Sequence, residues 1–167
     1  TARIELLCSM GQVYEEDLND FHKALAAYAQ VLGYDSADPR ALDALGRLYE
    51  RVEDWENAVD TMTRLSSSTD DPALQVELLH RTGRILAQHL GDARGAEQRF
   101  LQALSMDASH VPTMKATTEL YMARGDWHKA ANMMVEAERH SPIPTEKVRL
   151  LTEAAQIYQS RLEDLER

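Results

Sequence analysis

Apolar residues recur along this chain at helical spacing, and they recur in blocks. Leu42, Leu45, Leu48 and Tyr49 line one face of a predicted α-helix. After the polar turn at Glu53-Asp54, a second block opens with Trp55 and carries Ala58, Met62 and Leu65. The order returns 72 residues later, when Tyr49, Asp54, Trp55 and Ala58 reappear as Tyr121, Asp126, Trp127 and Ala130. Small residues mark the registers: Gly11, Gly46, Gly83, Thr118 and Ala155 stand 35, 37, 35 and 37 residues apart. Self-similarity at this period predicts stacked supersecondary units, each burying its apolar face against its neighbours.

Each unit reads as a hairpin of two helices. Asp38-Pro39, Asp71-Pro72 and Ser141-Pro142 each set a capping side chain before a proline at the first helical position, where the missing N–H does no harm. The first helix is expected to end near Gly91 or Gly125, or at Asn19, residues suited to the left-handed C-terminal conformation. An aspartate then caps the second helix in every copy: Asp20, Asp54, Asp92, Asp126 and Asp164. A residue expected to be buried usually follows, Phe21, Trp55, Trp127 or Leu165, with Ala93 as the thin copy. The second helix turns Ala24, Ala58, Ala96 and Ala130 inward, and four residues on it places Tyr28, Met62, Phe100 and Met134. Small facing large lets two helices interdigitate at close range. Nine helices are expected, over roughly 2–17, 20–33, 39–52, 55–67, 72–89, 93–106, 110–123, 127–139 and 144–162. They form repeats at 4–38, 39–75, 76–110 and 111–147, with a partial one at 148–167, in a single domain over 1–167.

This residue pattern resembles the tetratricopeptide repeat. Leu42, Leu45-Gly46, Tyr49, Asp54-Trp55, Ala58, Met62, Leu65 and Pro72 follow that family's pattern closely. Met114, Tyr121, Gly125-Asp126-Trp127, Ala130, Met134, Ala137 and Pro142 follow it nearly as well. Two copies carry one extra residue between their helices, in 15–19 and 87–91. The departures are Thr82 for Leu, Thr117-Thr118 for Leu-Gly, and Ala108 for the terminal Pro. The resemblance covers essentially the whole chain. It implies an all-α solenoid of antiparallel hairpins, about four and a half repeats in a right-handed superhelix. It also implies a non-enzymatic scaffold for protein–protein interaction.

In that family the first helix of each hairpin lines a concave groove that holds a partner peptide or helix. Carried over by register, the groove begins with Glu5, Cys8, Gln12, Glu15 and Glu16. It continues with Arg40, Asp43, Arg47, Glu50 and Arg51, then Glu77, His80, Arg81, Arg84 and Gln88. Lys115, Glu119 and Met122 follow, and the last helix adds Arg149, Thr152, Gln156 and Gln159. Arg40, Arg47, Arg51, Arg81, Arg84 and Lys115 would gather mid-groove. Guanidinium forks bind carboxylates bidentately, so this cluster suits an acidic or C-terminal peptide segment. The plainer alternative pairs the same arginines with Asp43, Glu50 and Glu77 on a solvated face. The chaperone-binding members of the family use a clamp of Lys, Asn, Asn, Lys and Arg. The corresponding places here are Cys8, Gln12, Ala44, Glu77 and Arg81, and only Arg81 fits, which argues against heat-shock chaperone tails.

Composition narrows the rest. The chain has 167 residues, 44% hydrophobic and 28% charged, and a net charge of −10. An acidic surface disfavours phosphate backbones and anionic membranes. No apolar run reaches the ~18 residues of a membrane span, so no membrane insertion is expected. No basic-then-apolar leader is present. The chain opens at Thr1 rather than Met, which suggests a piece of a longer array. The single cysteine, Cys8, forms no internal disulfide and weakly favours a reducing, cytoplasmic setting. Cys8 also lacks a local His partner and sits near Glu5, so it does not read as a nucleophile. Of the six histidines no two stand four residues apart, and no Gly-rich phosphate loop occurs, so neither metal nor cofactor is expected. His80, one turn from Arg84, could tune binding with pH, although a plain surface histidine is the simpler reading. The acidic run 15–20 reads as a solvated helix end rather than a calcium loop. Ile4, Leu6 and Leu7 at one end, and Leu150, Leu151, Ile157, Tyr158 and Leu162 at the other, have no covering hairpin. They suggest a longer array or homo-association through the end helices, which gives the alternative function: a structural segment that assembles by its ends.

Overall fold

The computed structural model describes residues 2–162, and no strand occurs among the described residues. Contacts divide the chain into two compact units, one ending at Leu78 and one beginning at Leu79. The first unit holds α1 (Ala2–Gln12), α2 (Phe21–Tyr34), α3 (Pro39–Arg51) and α4 (Trp55–Ser68). Helix α5 (Pro72–Gln88) starts in the first unit and ends in the second. The second unit continues with α6 (Ala93–Met106), α7 (Val111–Arg124), α8 (Trp127–His140) and α9 (Pro144–Ile157). In the first unit α1 packs on α2, α2 on α3 and α3 on α4; in the second, α6 packs on α7, α7 on α8 and α8 on α9. This is the all-α solenoid class, built of helix hairpins.

The predicted caps form in most copies. Asp20, Asp54 and Asp92 accept the N–H of the third residue after them, from Lys23, Asn57 and Gly95. Asp38 accepts from Arg40 N and Ala41 N, and Asp71 from Ala73 N and Leu74 N. Asp126 makes no capping bond; its Oδ2 lies 3.4 Å from Arg124 Nε instead. Asp164 and Leu165 lie outside the described residues. The expected cap at Ser141 is also absent. Helix α9 opens at Pro144 with Ile143 before it, while Ser141 Oγ donates to Glu146 Oε2 at 2.6 Å. Ile143-Pro144 offers a second proline start, and an X-Pro bond keeps the preceding residue out of the helix.

A shared geometry closes each hairpin. The residue before the capping aspartate has positive φ in every described copy: Asn19 at 51°, Glu53 at 61°, Gly91 at 66° and Gly125 at 75°. The aspartate's own N–H then reaches back to the first helix. Asp54 N bonds Tyr49 O and Asp126 N bonds Tyr121 O, both at 2.9 Å and both spanning five residues. The two copies with an extra residue span six instead: Asp20 N to Tyr14 O at 2.8 Å and Asp92 N to Leu86 O at 2.9 Å. The surplus residue is taken up by a wider turn. Leu18 N bonds Val13 O, and Leu90 N bonds Ile85 O, five residues back. In the first copy this makes Val13–Asp17 a π-helical turn, so the expected helix over 2–17 is α-helical only to Gln12. A second π-helical turn, Tyr158–Leu162, follows α9.

Inside each hairpin, small meets large. Ala24, Ala58, Ala96 and Ala130 are all 0% exposed. Gly11 lies under the Tyr28 ring, Gly46 against Met62 and Gly83 under Phe100. Tyr121 is buried and Tyr49 half-buried. Trp55 and Trp127 are half-buried rather than buried, each standing as the first residue of its helix. Three of the departures from the family pattern are threonines, Thr82, Thr117 and Thr118, all buried. Each hydroxyl donates into its own helix, to Leu79 O, Thr113 O and Met114 O. A buried hydroxyl satisfied within its own turn can occupy an apolar site without an orphaned donor.

Two expectations follow for unfolding measured by heat or urea. A Cβ on Gly83 would stand 2.5 Å from the Phe100 ring, so Gly83→Ala should cost roughly 1–3 kcal/mol by overpacking. A Cβ on Gly46 meets only flexible Met62 at 3.3 Å, so Gly46→Ala should be near neutral or gain up to ~1 kcal/mol from helix propensity. Equal losses at both sites would refute the small-against-large account. Glu53 holds a left-handed conformation that glycine adopts freely, so Glu53→Gly should stabilise by roughly 1 kcal/mol.

Candidate functional site

The first-helix residues proposed for partner binding divide between the two units. In the first unit, stacking sets α1 beside α3 and brings their charges together. Arg40 Nη1 donates to both Glu5 carboxylate oxygens at 3.0 Å, and its Nη2 donates to Asp38 Oδ2 at 3.0 Å. Arg47 Nη1 donates to Glu15 Oε1 at 2.8 Å, and its Nε to Asp43 Oδ2 at 3.3 Å. Arg51 lies over the Phe21 ring, 4.3 Å from its centroid. Glu15 is buried, so Arg47 neutralises a carboxylate that would otherwise be costly there. Glu50 is half-buried and engaged. Of the partners expected for these arginines, Asp43 takes that place beside Glu5, Asp38 and Glu15.

In the second unit, Lys115 pairs with Glu146, which also accepts from Ser141. His80 does not present its ring to solvent: it is 8% exposed. Its Nδ1 lies 3.1 Å from Thr113 Oγ1, which in turn lies 2.7 Å from His110 Nδ1. The ring centroids of His80 and His110 are 5.6 Å apart, and that of Phe100 is 6.1 Å from His80. The shared interior of α5, α6 and α7 draws His80 in, which helical register alone did not show. Arg81 is half-buried with its own interaction, while Arg84 and Glu119 are exposed. These last two stand at the rim of a cavity of about 200 Å³, lined also by Ala87, Phe100, Ala116 and Leu120. Among the described residues this joins an apolar floor to a rim carrying charges of both signs.

A second carboxylate centre escaped the sequence reading. Glu97 on α6 receives Arg124 Nη1 at 2.5 Å and Lys129 Nζ at 3.4 Å. Burial pushes its carboxyl up, but the bonds from Arg124, Tyr121 and Lys129 outweigh that and hold it below its usual range. Burial and Glu97 push the Tyr121 phenol up to about 12. The spacing from Glu97 to these partners spans a hairpin, so only the contact reveals them. Cys8 is half-buried, and its thiol is pushed up chiefly by burial, against Arg40 and with Asp38 and Glu5 adding to the rise. Among the described residues no group of three or more His, Cys, Asp or Glu could hold a metal ion. No described helix is long and apolar enough to cross a membrane.

Residues 4–38 and residues 41–75 each match a family model for the tetratricopeptide repeat. Among solved structures, a crystal structure of MamA protein is similar over 98% of this chain and 92% of its own, at 18% identity and a TM-score of 0.72. YrrB, described as a TPR protein with an unusual peptide-binding site, is similar over 96% of this chain and 89% of its own, at 15% identity and a TM-score of 0.65. The pilF protein of Pseudomonas aeruginosa is similar over 95% of this chain and 70% of its own, at 15% identity and a TM-score of 0.69. At these identities the likeness is one of fold. Comparison with curated protein sequences finds no match.

The carboxylate bonds set a pH dependence. The Arg40 guanidinium, with the N–H groups of Ala41 and Arg40, holds the Asp38 carboxyl below its usual range. A depressed folded pKa contributes stability that is present above the unfolded value, about 3.9, and lost as pH falls through the folded one. Stability should therefore fall below about pH 4. Asp38→Asn, which keeps a capping side chain, should cost ~1–2 kcal/mol near neutral pH and flatten this acid slope, read by urea unfolding against pH. An unchanged slope would show that the Asp38–Arg40 pair is not its source.

Proposed function

This chain is a tetratricopeptide-repeat protein, a scaffold for protein–protein interaction, and we propose that it is non-enzymatic and holds an acidic or C-terminal segment of a partner against the exposed faces of its first helices. The observation that carries this reading is Arg84, an exposed cation at the rim of the apolar cavity floored by Phe100 and Leu120. An apolar side chain of the segment enters the cavity while a neighbouring carboxylate meets the guanidinium, a combination of shape and charge that gives both affinity and orientation. Glu119 across the rim selects against a second acidic group beside the first. The peptide-binding site named for YrrB supports the reading from a protein of similar fold.

The six-cation cluster is refined by the contacts around it. Arg40, Arg47 and Lys115 already hold carboxylates of this chain, so a partner's carboxylate must compete with those bonds. Arg84 faces no such competition from any described ion pair. The segment is therefore anchored at Arg84 rather than at the cations already held by their own chain.

An array of acidic C-terminal peptides probed with the whole chain tests this. Binding should weaken with salt and fall roughly tenfold in Arg84→Glu, with helicity unchanged. Arg47→Glu, by contrast, should lower stability by leaving Glu15 buried beside a second carboxylate. If acid-rich peptides bind Arg84→Glu as tightly as the unaltered chain, the reading fails.

A further inference from the structure

Hairpin junctions in this chain use a fixed register. On α3, which α2 covers, Ala41, Leu45 and Leu48 are 0%, 2% and 0% exposed. Counting on by the repeat spacing gives Leu78, Thr82 and Ile85 on α5, Thr113, Thr117 and Leu120 on α7, and Leu150, Ala154 and Ile157 on α9. All of these are buried. On α1 the same register gives Leu6, Met10 and Val13, which are 61%, 39% and 46% exposed. Leu18, 60% exposed, continues the patch past the π-helical turn, and Ser9 and Tyr14 flank it. The first helix thus carries a junction face whose equivalents on every other first helix are covered. Its shape and apolarity call for a helix.

The charges at its ends indicate which helix. Arg3 is exposed at the start of the stripe, and Glu16 and Asp17 are exposed at its end. Along α1 and the turn, Arg3 and Asp17 each stand seven residues from Met10, on opposite sides, while Leu6 lies four residues before it and Val13 three after. We propose that this face docks the same face of a second copy of the chain, with the two α1 helices antiparallel about a two-fold axis at Met10. Met10 then packs on Met10, each Leu6 meets Val13 of the other copy, and each Arg3 meets Asp17 and Glu16. The parallel arrangement would instead stack Arg3 on Arg3 and Asp17 on Asp17. A two-fold contact uses one self-complementary patch twice, which is the symmetry this charge order has. The Arg3 guanidinium lies 5.5 Å from the Tyr34 ring centroid, which holds it near the end of the stripe while leaving it exposed. The proposal is independent of the Arg84 anchor, since it uses neither Arg84 nor any residue of the cavity beside it.

One helix a side is a small interface, so association is expected at roughly tens of micromolar, well short of a permanent dimer. Sedimentation velocity of the whole chain over about 5–500 µM tests it. A dimer that grows with concentration and weakens with salt is expected. Leu6→Glu combined with Met10→Glu should be monomeric throughout, with circular dichroism and melting temperature unchanged because both sites are on the surface. Arg3→Glu alone and Asp17→Arg alone should each weaken association several-fold, and the two together should recover most of it. A chain that stays monomeric over the whole range overturns the proposal and leaves the face to a helix of another protein or a further hairpin. A dimer indifferent to Leu6→Glu/Met10→Glu overturns it by placing the contact elsewhere. Failure of the double charge variant to recover overturns the antiparallel geometry.

Discussion

The structure depends on the distance at which the two helices of a hairpin can approach. Gly11, Gly46 and Gly83 leave no side chain where Tyr28, Met62 and Phe100 come in, and an alanine at 0% exposure sits one turn before each of those large residues. That contact sets the spacing of a hairpin. The hairpin spacing in turn fixes which residues of one first helix stand beside the next. The ion pairs that α3 makes with α1 and the π-helical turn after it exist because the packing puts Glu5 and Glu15 opposite Arg40 and Arg47. Dispersion and burial act first, and the charges are arranged on the frame they produce.

The charges do two jobs on that frame. With a net charge of −10, the chain carries more carboxylates than it needs for its own cations. Some of those carboxylates are used structurally: Glu15 is buried under Arg47, Glu97 gathers Arg124 and Lys129, and Glu146 gathers Lys115 and Ser141. Each such bond removes a cation from the set available to a partner. What remains for recognition is small and local, and it is defined by its neighbours as much as by its sign. In the proposed reading Arg84 is the anchor because an apolar cavity lies beside it. A surface arginine without such a floor would supply attraction but little selectivity.

The two hairpins with an extra residue show how tightly the joint is specified. The chain keeps the left-handed residue, the aspartate after it and that aspartate's backward N–H bond in all four described copies, and widens only the turn. Glu53 takes a positive φ that its side chain disfavours, as Gly91 and Gly125 do without strain. The position, set by the closure of the hairpin, overrides the preference of the residue.

Much of this was legible in the chain itself. The periodic apolar residues, the Asp-Pro starts and the aspartate before each second helix placed the described helices to within a few residues, because caps and amphipathic faces are local and leave local marks. The exceptions are local competitions, as at Ser141-Pro142, where a second proline two residues on took the helix start. The residues expected to line a groove were chosen by register alone. His80 shared that register with exposed residues, yet the packing of α5, α6 and α7 drew it inside against Thr113 and Phe100. Likewise the partners of Arg40, Arg47 and Glu97 are set by distances across hairpins, between residues 27 to 35 positions apart. A sequence states which residues can cap, turn or line a face, because those depend on neighbours a few bonds away. Which charge meets which, and which side chain the packing takes in, depend on separations in space that only the folded chain defines.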